Sequence, residues 1–239
     1  MRRPFVFFDL GQTLVAEWDF IAHFDVKFLE ILNGYGARID ARNYRAVRDS
    51  IIRNRGIGHG SVKELIVEVC KAILPAGYGG PILRRLDPEI REGRKTLFRL
   101  AEGAEQVLQA LSQRCDLGII ANQSEDILGL LQSSGLEKYF KVKTISGVAK
   151  LKKPDPRIFQ LALKEAGGRN SAGDCIMVGD RLDTDICPAN RLGMTTVRVT
   201  DSLFALQEPI EECERPNYTV AKLADVTATV ERIINEKGQ

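Results

Sequence analysis

The sequence has little material for several common kinds of protein site. Among its 239 residues there are only two histidines and five cysteines, and no two cysteines have the Cys-x-x-Cys spacing of zinc and redox sites. A histidine-based zinc cluster or a histidine-driven catalytic triad therefore has almost no residues from which to form. The scattered, odd-numbered cysteines are expected to be small buried apolar residues rather than a disulfide framework.

Charge of one sign and long apolar runs are also lacking. The 34 Lys and Arg residues almost balance the 32 Asp and Glu residues, which leaves a formal net charge of +2. This balance gives no electrostatic footprint for nucleic acid or for an acidic membrane surface. No run of about 18 apolar residues could span a membrane, and the first apolar stretch is too short for a signal peptide. We therefore expect a cytoplasmic protein without a nucleic-acid or membrane partner.

Apolar residues make up 44% of the chain, which is ample for a folded core. Short apolar runs rich in strand-forming residues each end at a polar residue: residues 5–8 before Asp9, 117–121 before Asn122, 175–178 before Gly179 and Asp180, and 195–199 before Thr200. Helical patterns lie between these runs. Strands that alternate with helices predict an α/β protein with a Rossmann-like parallel sheet, in which ligands bind beyond the carboxyl ends of the strands.

The stretch from about residue 17 to residue 92 breaks this alternation. Apolar residues recur there with helical spacing in three segments: 21–32, 44–51 and 65–73. The third segment follows Ser61 and Glu64, which have the spacing of a capping box. We predict a core of residues 1–15 and 100–239 and an all-helical cap domain of residues 16–99, inserted after the first strand.

Four short motifs that could carry chemistry occur in order along the chain. They are Asp9-Leu10-Gly11-Gln12-Thr13, Ala121-Asn122, Lys153-Pro154, and Gly179-Asp180 followed by Asp185. Each motif alone would be a weak signal. In this order and at this spacing they resemble the haloacid dehalogenase (HAD) superfamily with a helical, C1-type cap, and the resemblance extends over the whole chain.

The resemblance implies a phosphatase that forms an aspartyl-phosphate on a small phosphorylated metabolite. Asp9 would be the nucleophile, which divides one difficult displacement into two easier ones. Lys153 would offset the phosphate charge and fix the Asp9 carboxylate. Asn122 would donate a hydrogen bond to the transferring group.

The resemblance also implies a Mg²⁺ cofactor, because carboxylates near a phosphate dianion would otherwise repel it. The implied ligands are the carboxylates of Asp9 and Asp180 and the backbone carbonyl of Gly11. Asp185 would be a further ligand, or a partner of Lys153 or of a metal-bound water.

Two positions depart from the pattern of the phosphatases. Gly11 occupies the place of a second Asp that serves as general acid and base, and Ala121 replaces a hydroxyl residue. Loss of a general acid costs about 10²- to 10⁴-fold in rate. A residue of the cap could replace the acid, the leaving group could need little protonation, as in an acyl phosphate, or the chain could be a weak or lost catalyst. The candidates for a cap acid are Glu17, Asp19 and His23.

Other readings of the same motifs stay open. Relatives that cleave carbon–halogen or carbon–phosphorus bonds also lack the second Asp. Haloacid dehalogenases do not use Mg²⁺, and Gly11 with the retained Asp180 turn matches their motifs poorly. Phosphonatases need a cap lysine that forms an imine, for which the candidates are Lys27, Lys63 and Lys71. A catalytically impaired ligand-binding protein on this fold is the third reading.

Overall fold

The computed structural model describes residues 3–167 and 171–237. The chain forms two compact units. The α/β unit comprises Met1–Ala16, Leu100–Ala205 and Pro209–Gln239, and the helical unit comprises Glu17–Arg99 and Leu206–Glu208. Residues 206–208, which the sequence pattern assigns to the core, thus group with the helices.

Within the described residues the strands are β1 (Phe5–Phe8), β2 (Val15–Ala16), β3 (Arg99–Leu100), β4 (Asp116–Ala121), β5 (Phe140–Ile145), β6 (Cys175–Gly179), β7 (Thr195–Val199) and β8 (Tyr218–Val220). Six of these strands form one parallel sheet in the order β5-β4-β1-β6-β7-β8, and β2 pairs with β3. The predicted α/β class with a Rossmann-like parallel sheet is confirmed.

The helices are α1 (Trp18–Gly34), α2 (Ala41–Arg53), α3 (Val62–Ile73), α4 (Gly79–Leu97), α5 (Ala104–Ser112), α6 (Ile127–Ser133), α7 (Ser146–Ala149), α8 (Pro156–Glu165), α9 (Cys187–Arg191) and α10 (Val226–Lys237). In the α/β unit, α8 packs on β4, β5 and α9, while α5 packs on β4 and α10. Among the described residues, no helix is both long enough and apolar enough to cross a lipid bilayer.

Strand β1 lies at the centre of the sheet because it is apolar on both faces. All four of its residues are at most 2% exposed, and the strand pairs with β4 on one side and β6 on the other. The stacked rings of Phe5 and Phe7 lie over Gly118 of β4, where a Cβ atom would come within 2.7 Å of the Phe7 ring. Gly118 therefore makes room for the aromatic pair.

The four helices of the helical unit bury an aromatic row of α1. Phe20, Phe24 and Phe28 of this helix are at most 5% exposed, and Phe28 meets the ring of Tyr44 edge to face. The predicted capping box at the start of α3 is present, since the Ser61 side chain accepts a hydrogen bond from the helix and the Glu64 side chain bonds back to the Ser61 backbone. These contacts make the unit a closed bundle with its own core.

Five of the described strands and helices had no counterpart in the sequence prediction: β2, β3, β5, α4 and α7. β5 alternates buried and exposed residues because Lys141 and Lys143 lie between its apolar residues, as expected for an edge strand. α4 begins at Gly79 and contains Pro81 in its first turn, where the missing N–H costs nothing. Its glycines and prolines had suggested only a break between helices.

The prediction that the cysteines form no disulfide is wrong for two of them. Cys187 at the start of α9 and Cys213 form a disulfide across 26 positions of sequence. The fold places the 3₁₀-helix Glu212–Glu214 beside α9, which sequence spacing could not show. The other three cysteines are buried free thiols, as predicted: Cys70, Cys115 and Cys175.

Candidate active site

Asp9 lies at the carboxyl end of the central strand β1, in a tight loop. Its backbone N–H donates to the carbonyl oxygen of Val178 at 2.9 Å, which continues the pairing of β1 with β6. The carbonyl oxygen of Leu10 then accepts hydrogen bonds from the N–H groups of residues 13, 14 and 15. This closed loop holds the Asp9 side chain at the edge of the sheet, where it is only 8% exposed.

Lys153 joins two carboxylates in the buried site. Its Nζ donates to Oδ1 of Asp9 at 2.6 Å and also to Oδ1 of Asp185, and the lysine is only 2% exposed. Burial by itself lowers the pKa of Lys153, but the charges of Asp185 and Asp9 outweigh burial and raise it overall. The ammonium group therefore stays charged inside the protein.

Asn122 holds the backbone of Lys153. Its Nδ2 donates to the carbonyl oxygen of Lys153 at 2.8 Å, and its Oδ1 accepts from the Lys153 N–H at 2.8 Å. The sequence pattern assigned the Asn122 amide to the transferring group, whereas the structure uses both of its polar atoms on the lysine. Asn122 thus connects the end of β4 to the loop that carries Lys153.

Asp180 is the least satisfied carboxylate of the site. It follows β6 and is 2% exposed, and its Oδ2 is buried without a hydrogen-bond partner among the described residues. Burial raises its pKa well above the usual range, and repulsion from Asp185 and Asp9 adds to the rise. A buried carboxylate oxygen without a donor is costly unless a proton or a cation binds there.

Asp185 lies over the end of β6 because the chain has no side chain at Gly179. A Cβ atom at Gly179 would come within 2.6 Å of Oδ2 of Asp185. That oxygen accepts a hydrogen bond from the Arg181 N–H at 3.0 Å, while Oδ1 accepts from Lys153. Both oxygens of Asp185 therefore already have donors.

The three carboxylates form one cluster. One oxygen from each of Asp9, Asp180 and Asp185 lies within 4.8 Å of the other two, and all three residues are buried. Burial raises the pKa of Asp9 to about 6, although Lys153 acts in the opposite direction. Oxygen donors at this separation, with one unpartnered oxygen, fit a hard divalent cation such as Mg²⁺.

Two further predicted residues are placed less directly. Gly11 lies in the Asp9 loop, where it forms an isolated bridge with Val15, and it provides no side chain for acid–base work. Asp183, which lies between Asp180 and Asp185 in the sequence, is 7% exposed and bound by the guanidinium of Arg181 at 2.7 Å. The Arg181 guanidinium therefore pairs with Asp183, whereas Oδ2 of Asp180 has no hydrogen-bond partner among the described residues.

The candidate cap acids all lie in the helical unit. Asp19 is in the first turn of α1, and Glu17 directly precedes that helix. His23 Nε2 lies 3.6 Å from a carboxylate oxygen of Glu89 in α4. His23 is thus already engaged within its own unit.

Several residues that support the carboxylates carried no signal in the sequence. The Ser202 side chain lowers the pKa of Asp180, Arg198 Nε donates to the Asp180 carbonyl oxygen at 3.4 Å, and Gln12 Oε1 accepts from the N–H of Leu203. Only the polar Thr200-Asp201-Ser202 turn after the last central strand could have suggested a contribution from this part of the chain.

The chain is similar in sequence to known phosphatases and other proteins. The chain is 26% identical over 234 residues to the glyceraldehyde 3-phosphate phosphatase of Methanocaldococcus jannaschii. This match covers 95% of this chain and 97% of that protein. The chain is 33% identical over 109 residues to the rhythmically expressed gene 2 protein of Drosophila melanogaster, but this match covers only 42% of that protein.

A solved structure shares the fold of the whole chain. The HAD-hydrolase YfnB from Bacillus subtilis, in a structure bound to magnesium, has a TM-score of 0.66 and 21% identity over 96% of this chain and 99% of its own. The model of the haloacid dehalogenase-like hydrolase family matches residues 6–193, which is most of the chain. The chain therefore belongs to the haloacid dehalogenase-like hydrolases.

Proposed function

We propose that the protein is a Mg²⁺-dependent phosphatase that acts on a small phosphorylated metabolite through an aspartyl-phosphate intermediate. The observation that supports this most is the buried cluster of three carboxylates beside Lys153, in which one Asp180 oxygen has no partner in residues 3–167 and 171–237. The relative from Methanocaldococcus jannaschii is named as a phosphatase of a three-carbon phosphate, which makes compounds of this size the first substrates to test.

Asp9 is the nucleophile in this proposal. Lys153 bonds to its Oδ1, which leaves Oδ2 to attack phosphorus. A bond forms between Asp9 and phosphorus while the ester bond to the leaving group breaks. Water then attacks the phosphorus of the intermediate, releases inorganic phosphate and regenerates the Asp9 carboxylate.

The cation would be held by the Asp9 and Asp180 carboxylates and the Gly11 carbonyl. When bound, Mg²⁺ supplies the positive charge that lets a phosphate dianion approach these carboxylates. Asp185 acts chiefly on Lys153, since both of its oxygens already accept hydrogen bonds. Asn122 acts through the Lys153 backbone and is therefore a positioning residue.

The leaving group needs its proton from elsewhere, because Gly11 cannot provide one. One solution is a substrate whose leaving group needs little protonation. Another is a cap residue that donates the proton, for which the candidates are Glu17, Asp19 and His23. Both could apply together. With no acid, kcat/KM rises steeply as the pKa of the leaving group falls. With a cap acid, this dependence is weak and becomes steep when the responsible residue is replaced.

The test is a hydrolysis assay on acetyl phosphate, para-nitrophenyl phosphate and a panel of sugar and triose phosphates, with Mg²⁺ and with EDTA. The proposal expects turnover with Mg²⁺, loss of turnover in EDTA, and loss in Asp9→Asn. Asp126→Asn is the matched control, because Asp126 makes no side-chain cap bond at the start of α6.

Results of two kinds would count against the proposal. Equal turnover by wild type and Asp9→Asn would remove the nucleophile from the mechanism. No turnover of any compound by the wild type, with Mg²⁺ binding retained, would favour the ligand-binding reading.

We also propose that the helical unit is the cap that selects the substrate. Variants of α1, assayed on a panel of substrates, should have altered ratios of KM between substrates without loss of turnover of all of them.

We propose further that the protein works in the cytoplasm. The Cys187–Cys213 disulfide is the observation against this, because the cytoplasm is reducing and disulfides persist mainly in oxidising compartments. Alkylation of intact cells, followed by counting of blocked cysteines, would decide the location question.

A further inference from the structure

Two loops of the candidate site bond to one segment of the chain, residues 200–205, which follows β7. The Asp9 loop bonds to this segment directly through Gln12, whereas Arg198 of β7 bonds both to Asp180 and to Phe204 of the segment. We call residues 200–205 the bridging segment. Its contacts bear on the distance between the two carboxylates.

The Asp9 loop is attached through Gln12. The N–H of Leu203 donates to Oε1 of Gln12 at 2.6 Å, and because a backbone N–H can only donate, the accepting atom must be the amide oxygen. Gln12 has φ of 51°, a left-handed conformation that is uncommon for a residue with a side chain. Backbone hydrogen bonds close this loop, and the Gln12 side chain attaches it to the bridging segment.

The Asp180 loop is attached at three points. The Ser202 side chain lowers the pKa of Asp180, and its Oγ accepts a hydrogen bond from the N–H of Phe204 at 2.9 Å. Arg198 donates to the carbonyl oxygen of Asp180 and, at 2.8 Å, to that of Phe204. The guanidinium of Arg181 lies 4.3 Å from the centre of the Phe204 ring. Asp180 is therefore fixed to the same segment that holds Gln12.

We propose that Gln12 is a positioning residue that sets the affinity of the site for a divalent cation. Three buried carboxylates repel one another, and Lys153 bonds only to Asp9 and Asp185, so the bond of Gln12 to the bridging segment helps to keep the Asp9 loop beside Asp180. Mg²⁺ requires nearly ideal octahedral geometry at about 2.0–2.1 Å, and a small displacement of a ligand weakens its binding. This inference rests on the proposed function, because it presupposes a cation at Asp9 and Asp180.

The experiment is a Mg²⁺ titration followed by thermal unfolding in the absence of substrate. Gln12→Ala should raise the Mg²⁺ concentration that gives half of the maximal stabilisation by about 10-fold, the size usual for residues that orient metal ligands. Gln12→Glu keeps an oxygen acceptor for the Leu203 N–H and should bring that concentration back close to the wild-type value. Gln113→Ala, at the exposed end of α5, is the matched control and should leave it unchanged.

A turnover assay gives a second readout. At saturating Mg²⁺, Gln12→Ala should recover most of kcat, since the reacting groups remain. An unchanged Mg²⁺ requirement in Gln12→Ala, or a Gln12→Glu variant no better than Gln12→Ala, overturns the inference while the proposed function stands. A wild-type protein that Mg²⁺ does not stabilise overturns the inference and the proposed metal site together.

Discussion

Each unit of the protein buries a cluster of charged residues, and the two clusters differ in how well they are satisfied. In the helical unit, Asp25 accepts a hydrogen bond from the Tyr44 hydroxyl at 2.7 Å and forms an ion pair with Arg48. Arg48 also forms an ion pair with Asp49. In the α/β unit, Lys153 bonds to two of three carboxylates, and within the described part of the chain Oδ2 of Asp180 has no partner.

The difference distinguishes a cluster whose side chains satisfy one another from one that we propose to be functional. In the Asp25 cluster, Arg48 and the Tyr44 hydroxyl donate to the carboxylates within the helical unit. In the Asp9 cluster, one lysine faces three buried carboxylates, an arrangement that is common at functional sites. Burial and shifted pKa values occur in both clusters, so neither property alone would have identified the site.

Replacement of the buried cation in each cluster should sharpen this contrast most. Lys153→Met should lower kcat/KM by about 10³-fold, because it removes the charge that fixes Asp9 and offsets the phosphate. Arg48→Met should lower the stability of the protein but leave turnover close to the wild-type value. Initial rates on the best substrate of the panel, compared at equal folded fraction, measure both effects. Comparable losses of turnover in the two variants would break the distinction between the clusters.

Reduction of the disulfide should destabilise the α/β unit without involving either cluster. The bond closes a loop across 26 positions, for which loop-closure entropy predicts a contribution of about 3–4 kcal/mol. Urea unfolding with and without a dithiol reductant measures this contribution, and Cys187→Ser with Cys213→Ser should remove the effect of the reductant. A reductant effect that persists in the double variant would assign the effect to another cause.

Loss of one partner in the helical cluster should cost stability alone. Asp25→Ala leaves Arg48, with a side chain 9% exposed, without its main partner, and we expect a loss of about 3 kcal/mol. The urea midpoint should fall equally with and without Mg²⁺. A Mg²⁺-dependent difference for this variant would show that the helical cluster also takes part in cation binding.

The smallest expected effect is a dependence of stability on pH. Burial raises the pKa of folded Asp9 from 3.8 to about 6, so the protonated form is favoured in the folded state. The stability that this group contributes is fully present below pH 3.8 and is lost as pH rises through about 6. In EDTA, wild type should therefore lose stability relative to Asp9→Asn between pH 4 and pH 7, and Mg²⁺ should reverse that loss. Parallel pH profiles of the two proteins in EDTA would contradict this assignment.

The sequence predicted the central part of the fold well for a physical reason. An unbroken apolar run such as residues 5–8 can only be a strand covered on both faces, and the acid that follows must lie at the edge of the sheet. β5 and α4 were not predicted, because two lysines interrupt the apolar pattern of one, and glycines and prolines mark the start of the other. Local pattern fails where neighbouring elements, rather than propensity, stabilise the structure.

The site was predicted by residue type but not by contact. Asp9, Lys153 and Asp185 could each be identified within their motifs, while the two hydrogen bonds of Lys153 join positions 144 and 32 residues apart. The bonds of Asn122 to the Lys153 backbone and the contacts of Gln12 and Ser202 involve common polar residues in loops. Such residues have no distinctive spacing, so no sequence pattern could have assigned them.

The sequence by itself determined the α/β class, the order of the motifs and the chemical types available at the site. Only the tertiary structure decided which carboxylate oxygen has no partner, which side chains hold the Asp9 and Asp180 loops, and that Cys187 meets Cys213. The reason is that class and motif follow from local periodicity and residue chemistry. Partnership depends on distances that exist only after segments far apart in the chain have packed together.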